Sequence, residues 1–283
     1  STDLWSAPLQ RLHHLLVEPV ERSGALRGAR TLLIAPHAEL HYLPFAALIG
    51  RDSTRRFLVE RYDIAYVPSA ALWLRLASRR SGVRSRGILA FAPRPDALPA
   101  SRDEVRAIRS LYGADATVLS AASATEAQFH ARGGQFAIIH FATYGVLNKQ
   151  NPLFSFVELA PDAHDDGHLA VHEVFGAALH ARLVVLSACQ TALASGALAD
   201  VPSGDDWIGL VRAFLFAGSD NVLATLWPVR DDASALVMRA FYEEVRQHSL
   251  AEALALAQRR AIRDRRTSDP ANWAAYSLVG ASR

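Results

Sequence analysis

The chain has 283 residues, 51% hydrophobic and 20% charged, a balance that excludes a disordered chain and fits one large α/β domain or two small ones. A formal net charge of +2 and the lack of any apolar run near membrane-span length exclude a dominant nucleic-acid or membrane surface. A single cysteine excludes an intrachain disulfide framework and fits a reducing, cytoplasmic setting. No signal peptide opens the sequence, and its start at Ser1 reads as an excised piece with further sequence upstream.

In chain order, Leu9, Leu12, Leu15 and Leu16 form a helical stripe within residues 4–20. Residues 31–35 and 62–67 read as strands. His37 and His41 flank the turn after the first and are taken as structural. Ser69 is placed to cap a helix over 69–76. The basic segment 78–86 reads as a solvated loop and as the best boundary between a possible N-terminal subdomain, residues 1–86, and the main α/β core, residues 87–283.

A strand over 87–92 opens that core. Residues 101–112 read as a helix with Ser101 as N-cap and Asp103 and Glu104 favourable in its first turn. Residues 116–119 read as a strand, and 123–130 as a helix opening on a capping box through Glu126. Residues 136–145 are an apolar strand that ends in a glycine turn. After a strand at 156–159, the turn 162–168 reads DAHDDGH. His164, Asp165, Asp166, His168 and the nearby His172 suggest a metal cluster. Nothing fixes their spacing, and Asp-Asp-Gly is ordinary turn chemistry, so neither metal nor cofactor is expected.

A helix over 171–179 leads to the run Leu183, Val184, Val185 and Leu186, which reads as a strand buried on both faces of a parallel sheet. The run stops at Ser187, Ala188 and Cys189. Ligands sit at the carboxyl ends of strands in open α/β sheets, so Cys189 is a candidate nucleophile. A small buried hydrophobe is the alternative. Residues 191–203 have the composition of a cleft lip, and Asp205 and Asp206 start a helix over 207–217. A strand over 221–227, two amphipathic helices over 231–246 and 250–263, and an edge strand over 273–279 complete the chain.

Six blocks in register, "LHYLPFAAL", "YDIAYVPSAAL", "IIHFATYG", "LVVLSACQT", "NVLATLWPV" and "NWAAYSLVG", resemble the CHAT domain, a bacterial caspase-like and separase-like cysteine-peptidase module often fused to TPR repeats. The blocks span nearly the whole chain. The resemblance implies an α/β caspase-like fold, a mostly parallel central sheet flanked by helices on both faces. It implies Cys189 as nucleophile and Gly145 in the oxyanion region. It also implies a peptide or protein substrate or partner, and an upstream TPR or sensor region. The family has its general-base histidine immediately before the glycine, where this chain has Tyr144.

His140 is the candidate substitute base, with a structural role as the alternative. If residues 140–144 stay extended, the two side chains share one face about 13 Å apart. Family members with an acidic pocket accept Arg or Lys before the cut. Asp205 and Asp206 are candidates for that pocket, or else plain helix caps. Two readings stand: an impaired or pseudo-peptidase with a regulatory or interaction role, and an active cysteine endopeptidase with another histidine as base.

Overall fold

The computed structural model describes residues 4–50, 56–78, 86–148, 151–188 and 205–282, with backbone alone at 188 and 205–208. Helices α1 (Ser6–Leu16) and α2 (Glu18–Arg22) meet at Val17. Pro19 is tolerated in the first turn of α2, where its missing N–H has no helical partner to lose. Strands β1 (Thr31–Ile34) and β2 (Asp63–Tyr66) pair in parallel. Helix α3 (Ala70–Ser78) follows, with the Leu72 N–H donating to the Ser69 hydroxyl as the sequence predicts.

The core proceeds through β3 (Ile88–Ala92), α4 (Pro99–Tyr112), β4 (Ala116–Ser120), α5 (Glu126–Arg132) and β5 (Ile138–Val146). Helix α4 starts two residues earlier than expected, because Pro99 presets the first turn. Ser101 therefore sits inside the helix, where its hydroxyl donates to the Leu98 carbonyl. The capping residue of α5 is Thr125, not Ser123, which instead closes a 3-10 turn with Ser120. The short strands β6 (Phe156–Glu158) and β7 (His168–Ala170) extend antiparallel from the end of β5. Helix α6 (Val171–Val174) is a single turn, shorter than the expected 171–179.

The remaining elements are β8 (Leu183–Ala188), α7 (Asp205–Phe216), β9 (Asn221–Thr225), α8 (Asp231–Glu244), α9 (Leu250–Arg263), α10 (Pro270–Trp273) and β10 (Tyr276–Gly280). Gly218 makes the turn from α7 to β9 possible. It has φ +118°, and a Cβ there would lie 2.1 Å from the Leu179 carbonyl oxygen.

The main sheet has the order β1-β2-β10-β9-β8-β5-β3-β4. Its pairs are parallel except β9 with β10, so the sheet is two parallel blocks joined along one antiparallel seam. This corrects the expected edge strand: β10 lies inside, between β2 and β9. The physical reason is its uncharged sequence, YSLVG, buried at every position, which is the signature of an interior strand.

Phe91, Phe129, Phe141 and Phe214 meet on the face covered by α5 and α7. Helices α4 and α8 cover the opposite face, where the His140 ring bonds Glu104 of α4 and Tyr242 of α8. Arg259 of α9 binds the Val59 carbonyl and the buried Asp63 carboxylate, fastening that helix to the start of β2. Phe57 packs between Trp5 and the fully buried Trp273, tying the two ends of the chain together.

Candidate active site

Tyr144 and Gly145 lie toward the carboxyl end of β5, beside the end of β8, where the α/β rule places ligands. These two strands run parallel, His140 beside Val185 and Phe141 beside Leu186. The register then slips, and Tyr144 comes to lie beside Ala188, the residue before Cys189. One extra residue on β5 makes a bulge, a device that re-aims side chains at strand ends. Cys189 itself lies outside the described residues. Asp205 and Asp206 form the first turn of α7, and their side chains also lie outside them.

Gly145 is buried within β5 and pairs with Val157, so the strand runs through the glycine instead of turning there. The sequence reading of residues 136–145 ended in a turn. What carries the strand onward is the pairing with β6, which a local reading of residues 136–145 does not contain.

Tyr144 is half-buried and lines a cavity of about 70 Å³ together with Ala142, Ser187, Thr225 and Glu104. Pro228, Val229, Asp231 and Ser234 complete the side toward α8. Alternation along β5 therefore puts residues 140, 142 and 144 toward α4 and α8, as the extended reading required.

His140 is fully buried beneath this cavity. Its Nε2 lies 3.1 Å from Glu104 Oε2, and its Nδ1 lies 2.8 Å from the Tyr242 hydroxyl. An ionised carboxylate only accepts, so Nε2–H donates to Glu104, while Nδ1 pairs with the Tyr242 hydroxyl. Both ring nitrogens are thus engaged. Ser187 and Ser234 donate to Glu104 Oε1 at 2.7 and 2.9 Å, and Tyr276 donates to Ser234. Burial pushes Glu104 toward its neutral form. The hydrogen bond and Coulombic attraction of His140, and then the hydrogen bonds from Ser187 and Ser234, outweigh that, so its carboxyl stays below the usual range. Burial raises the Tyr242 and Tyr276 hydroxyls, which remain donors.

Sequence reasoning placed Glu104 only as a favourable charge in the first turn of its helix. The available signal was its spacing: Ser101, Glu104 and Ile108 share the one buried stripe of α4. An acid on an apolar stripe requires partners. Ser234, Tyr242 and Tyr276, each distant in sequence, gave no local signal.

The histidines of the acidic turn are dispersed. Asp162 accepts from the backbone of His164 and Asp165, and Asp166 from that of His168, which is turn capping. Among the described residues no three His, Cys, Asp or Glu side chains could together hold a metal ion. Glu126 at the start of α5 faces this turn. Burial first, then Glu173 and Asp165, push its carboxyl up to about 7, against the Gly167 N–H, which favours the ionised form.

An unfolded glutamate titrates near pH 4.3, so between about pH 4.3 and 7 the folded state binds the extra proton. Stability from this group is complete below that window and is lost as pH rises through it. Glu126→Gln is therefore expected to unfold at higher denaturant than the parent at pH 8, with the gap closing at pH 4. Chemical denaturation at the two pH values measures it.

The comparisons with known proteins agree with this architecture. The family model for the CHAT domain matches residues 6–281. Tetratricopeptide repeat protein 28 from Mus musculus and that from Homo sapiens are each 27% identical to the chain over 334 residues. The match covers 96% of this chain but only 13% of those proteins.

Among solved structures, the Saccharomyces cerevisiae separase–securin complex superposes with a TM-score of 0.60 at 15% identity, over 95% of this chain and 17% of that one. The Arg-specific cysteine proteinase gingipain R superposes with a TM-score of 0.60 at 9% identity, over 94% of this chain and 66% of that one. Both neighbours have caspase-like folds, and the fold expected from the sequence is present. No helix among the described residues is long and apolar enough to cross a membrane. With the CHAT model matched across nearly its whole length on a caspase-like sheet, the chain belongs to the CHAT domain family.

Proposed function

We propose that this CHAT module holds a protein or peptide segment at the carboxyl ends of β5 and β8, and that its peptidase chemistry is impaired by Tyr144. The observation that carries the reading is Tyr144 beside Ala188, directly before Cys189, at the wall of a cavity. In this reading Cys189 is the nucleophile position, Gly145 belongs to the oxyanion region and Tyr144 occupies the place of the base. A phenol is a far weaker proton acceptor than an imidazole, and an unassisted cysteine is only about a few per cent thiolate. The module then works as a regulatory or scaffold unit in a cytoplasmic protein, beside a TPR or sensor region. The name of the curated relatives supports such a neighbour.

The second reading is an active endopeptidase with His140 or another histidine as base. Retention of Cys189 favours it. The engagement of both His140 nitrogens weighs against His140 in that role. For either reading a basic side chain is the fitting guest. Asp205 and Asp206 are the candidates from sequence, and Asp231 and Glu104 add acidic groups to the cavity wall.

An Arg-directed peptide carrying a thiol-reactive warhead separates the readings, since the chain has one cysteine. Saturable labelling of Cys189 whose maximal rate exceeds that of an unassisted thiol held by the same peptide marks an active site. Saturable labelling without that gain marks a disarmed one.

A further inference from the structure

Three donors in the buried network between α4 and α8 are aimed at one carboxylate. Ser187 lies two residues before Cys189 on β8, and its hydroxyl donates to Glu104 Oε1. His140 lies four residues before Tyr144 on β5, and its Nε2–H donates to Glu104 Oε2. Ser234 brings α8 to the same oxygen as Ser187. One side chain of α4 thus ties together the two strands that end at the site and the helix that walls it. The tie is also charged. Glu104 brings a carboxylate into it, held below its ordinary pKa by the groups that bond it. That carboxylate lines the cavity that Tyr144 lines.

We propose that Glu104 is a positioning residue of this site: it fixes the ends of β5 and β8 against each other and brings a carboxylate charge to the cavity beneath position 144. The inference rests on position 144 as the reacting position. It goes further in assigning a role to a residue that touches neither strand end through the backbone. The other titratable groups facing the network are Tyr112 on α4, Tyr242 on α8 and Tyr276 on β10, with Asp231 at the cavity wall. Burial pushes all three tyrosines up, so they stay uncharged near neutral pH.

The test reads charge, not stability. The variant Tyr144→His places an imidazole at the cavity wall, and its titration is followed by NMR of histidine labelled with carbon-13 at the ring, the new signal being found by difference from the parent. Its pKa is expected above the ordinary value of about 6.5, because the nearby carboxylate favours imidazolium. Adding Glu104→Gln is expected to lower it by about half a unit or more, roughly a threefold loss of proton affinity. The amide is a mild replacement: His140 takes its other tautomer, accepts at Nε2 and donates from Nδ1 to Tyr242.

A purely structural Glu104 would change the melting temperature and leave that titration in place. A shift below about 0.2 units between two folded proteins overturns the proposal. If Glu104→Gln does not fold, Ser234→Ala serves instead. With one donor fewer, more of the carboxylate charge reaches the cavity, and the imidazole pKa is expected to rise. An unmoved titration there overturns the proposal equally. Cleavage plays no part in the readout, so an inactive Tyr144→His variant removes the peptidase reading and leaves this coupling standing.

Discussion

Replacing Tyr144 by histidine is expected to raise peptide cleavage by about 10² to 10⁴ in kcat/KM, the usual worth of a positioned general base. The argument is local. Position 144 lies beside Ala188 in the parallel register, so a side chain there borders the end of the strand that leads into Cys189. An imidazole is a far better proton acceptor in the neutral range than a phenol. Imidazole is also the smaller ring, so the cavity wall accommodates it without overpacking.

The measurement is hydrolysis of fluorogenic Arg, Lys and Asp peptides by the parent, by Tyr144→His and by Cys189→Ala as the blank. Cleavage by Tyr144→His alone identifies a disarmed peptidase with an intact cleft. Cleavage by the parent above the blank transfers the base to another residue. If a folded Tyr144→His protein matches the blank across the panel, the disarmed-peptidase reading fails. Rate should also rise with pH through the titration of the new imidazole, because the unprotonated ring is the active form.

The largest expected stability loss belongs to Phe141→Ala. This ring is fully buried, stacked on Phe91 at 5.2 Å between centroids, and tilted against Phe129 at 5.8 Å and Phe214 at 5.7 Å. It joins two strands and two helices on one face of the sheet. Truncation removes its buried area and leaves a cavity that a β-strand backbone cannot collapse to fill, which costs about 3–5 kcal/mol. Domains of ordinary stability have about 5–15 kcal/mol in hand, so the variant should lose a large part of its unfolding midpoint in urea. Phe216→Ala is the control. That ring is 72% exposed, and its truncation should change stability by no more than about 0.5 kcal/mol. Equal losses in the two variants would contradict the assigned core.

Most of the strands were legible because interior strands of a parallel sheet need uncharged runs, and Leu183 to Leu186 or Ile88 to Ala92 allow little else. The fold class followed from the motifs that carry the CHAT resemblance. What the sequence left unread depends on partners distant in the chain. The place of β10 is set by β2 and β9, and the true network around His140 by Glu104, Ser187, Ser234 and Tyr242. Helix starts slipped where another residue set the first turn, as Pro99 did for α4 and Thr125 did for α5. The candidate site was read at position 144 from a departure within a motif, whereas Glu104, which underlies it, sat inside a helix face and gave only a spacing signal.

The antiparallel seam has a consequence for synthesis on the ribosome. Strand β2 is made early, yet its neighbour in the sheet is β10, joined at Tyr66 and Val279 about 200 residues later. At about 5–20 residues per second the β1–β2 pair waits on the order of 10–40 s with an open apolar edge before that neighbour emerges. The sheet closes last at its middle, not at its rim. Nascent chains stalled before residue 276 should therefore be the ones that engage chaperones, while release of the final strand completes both blocks in one step.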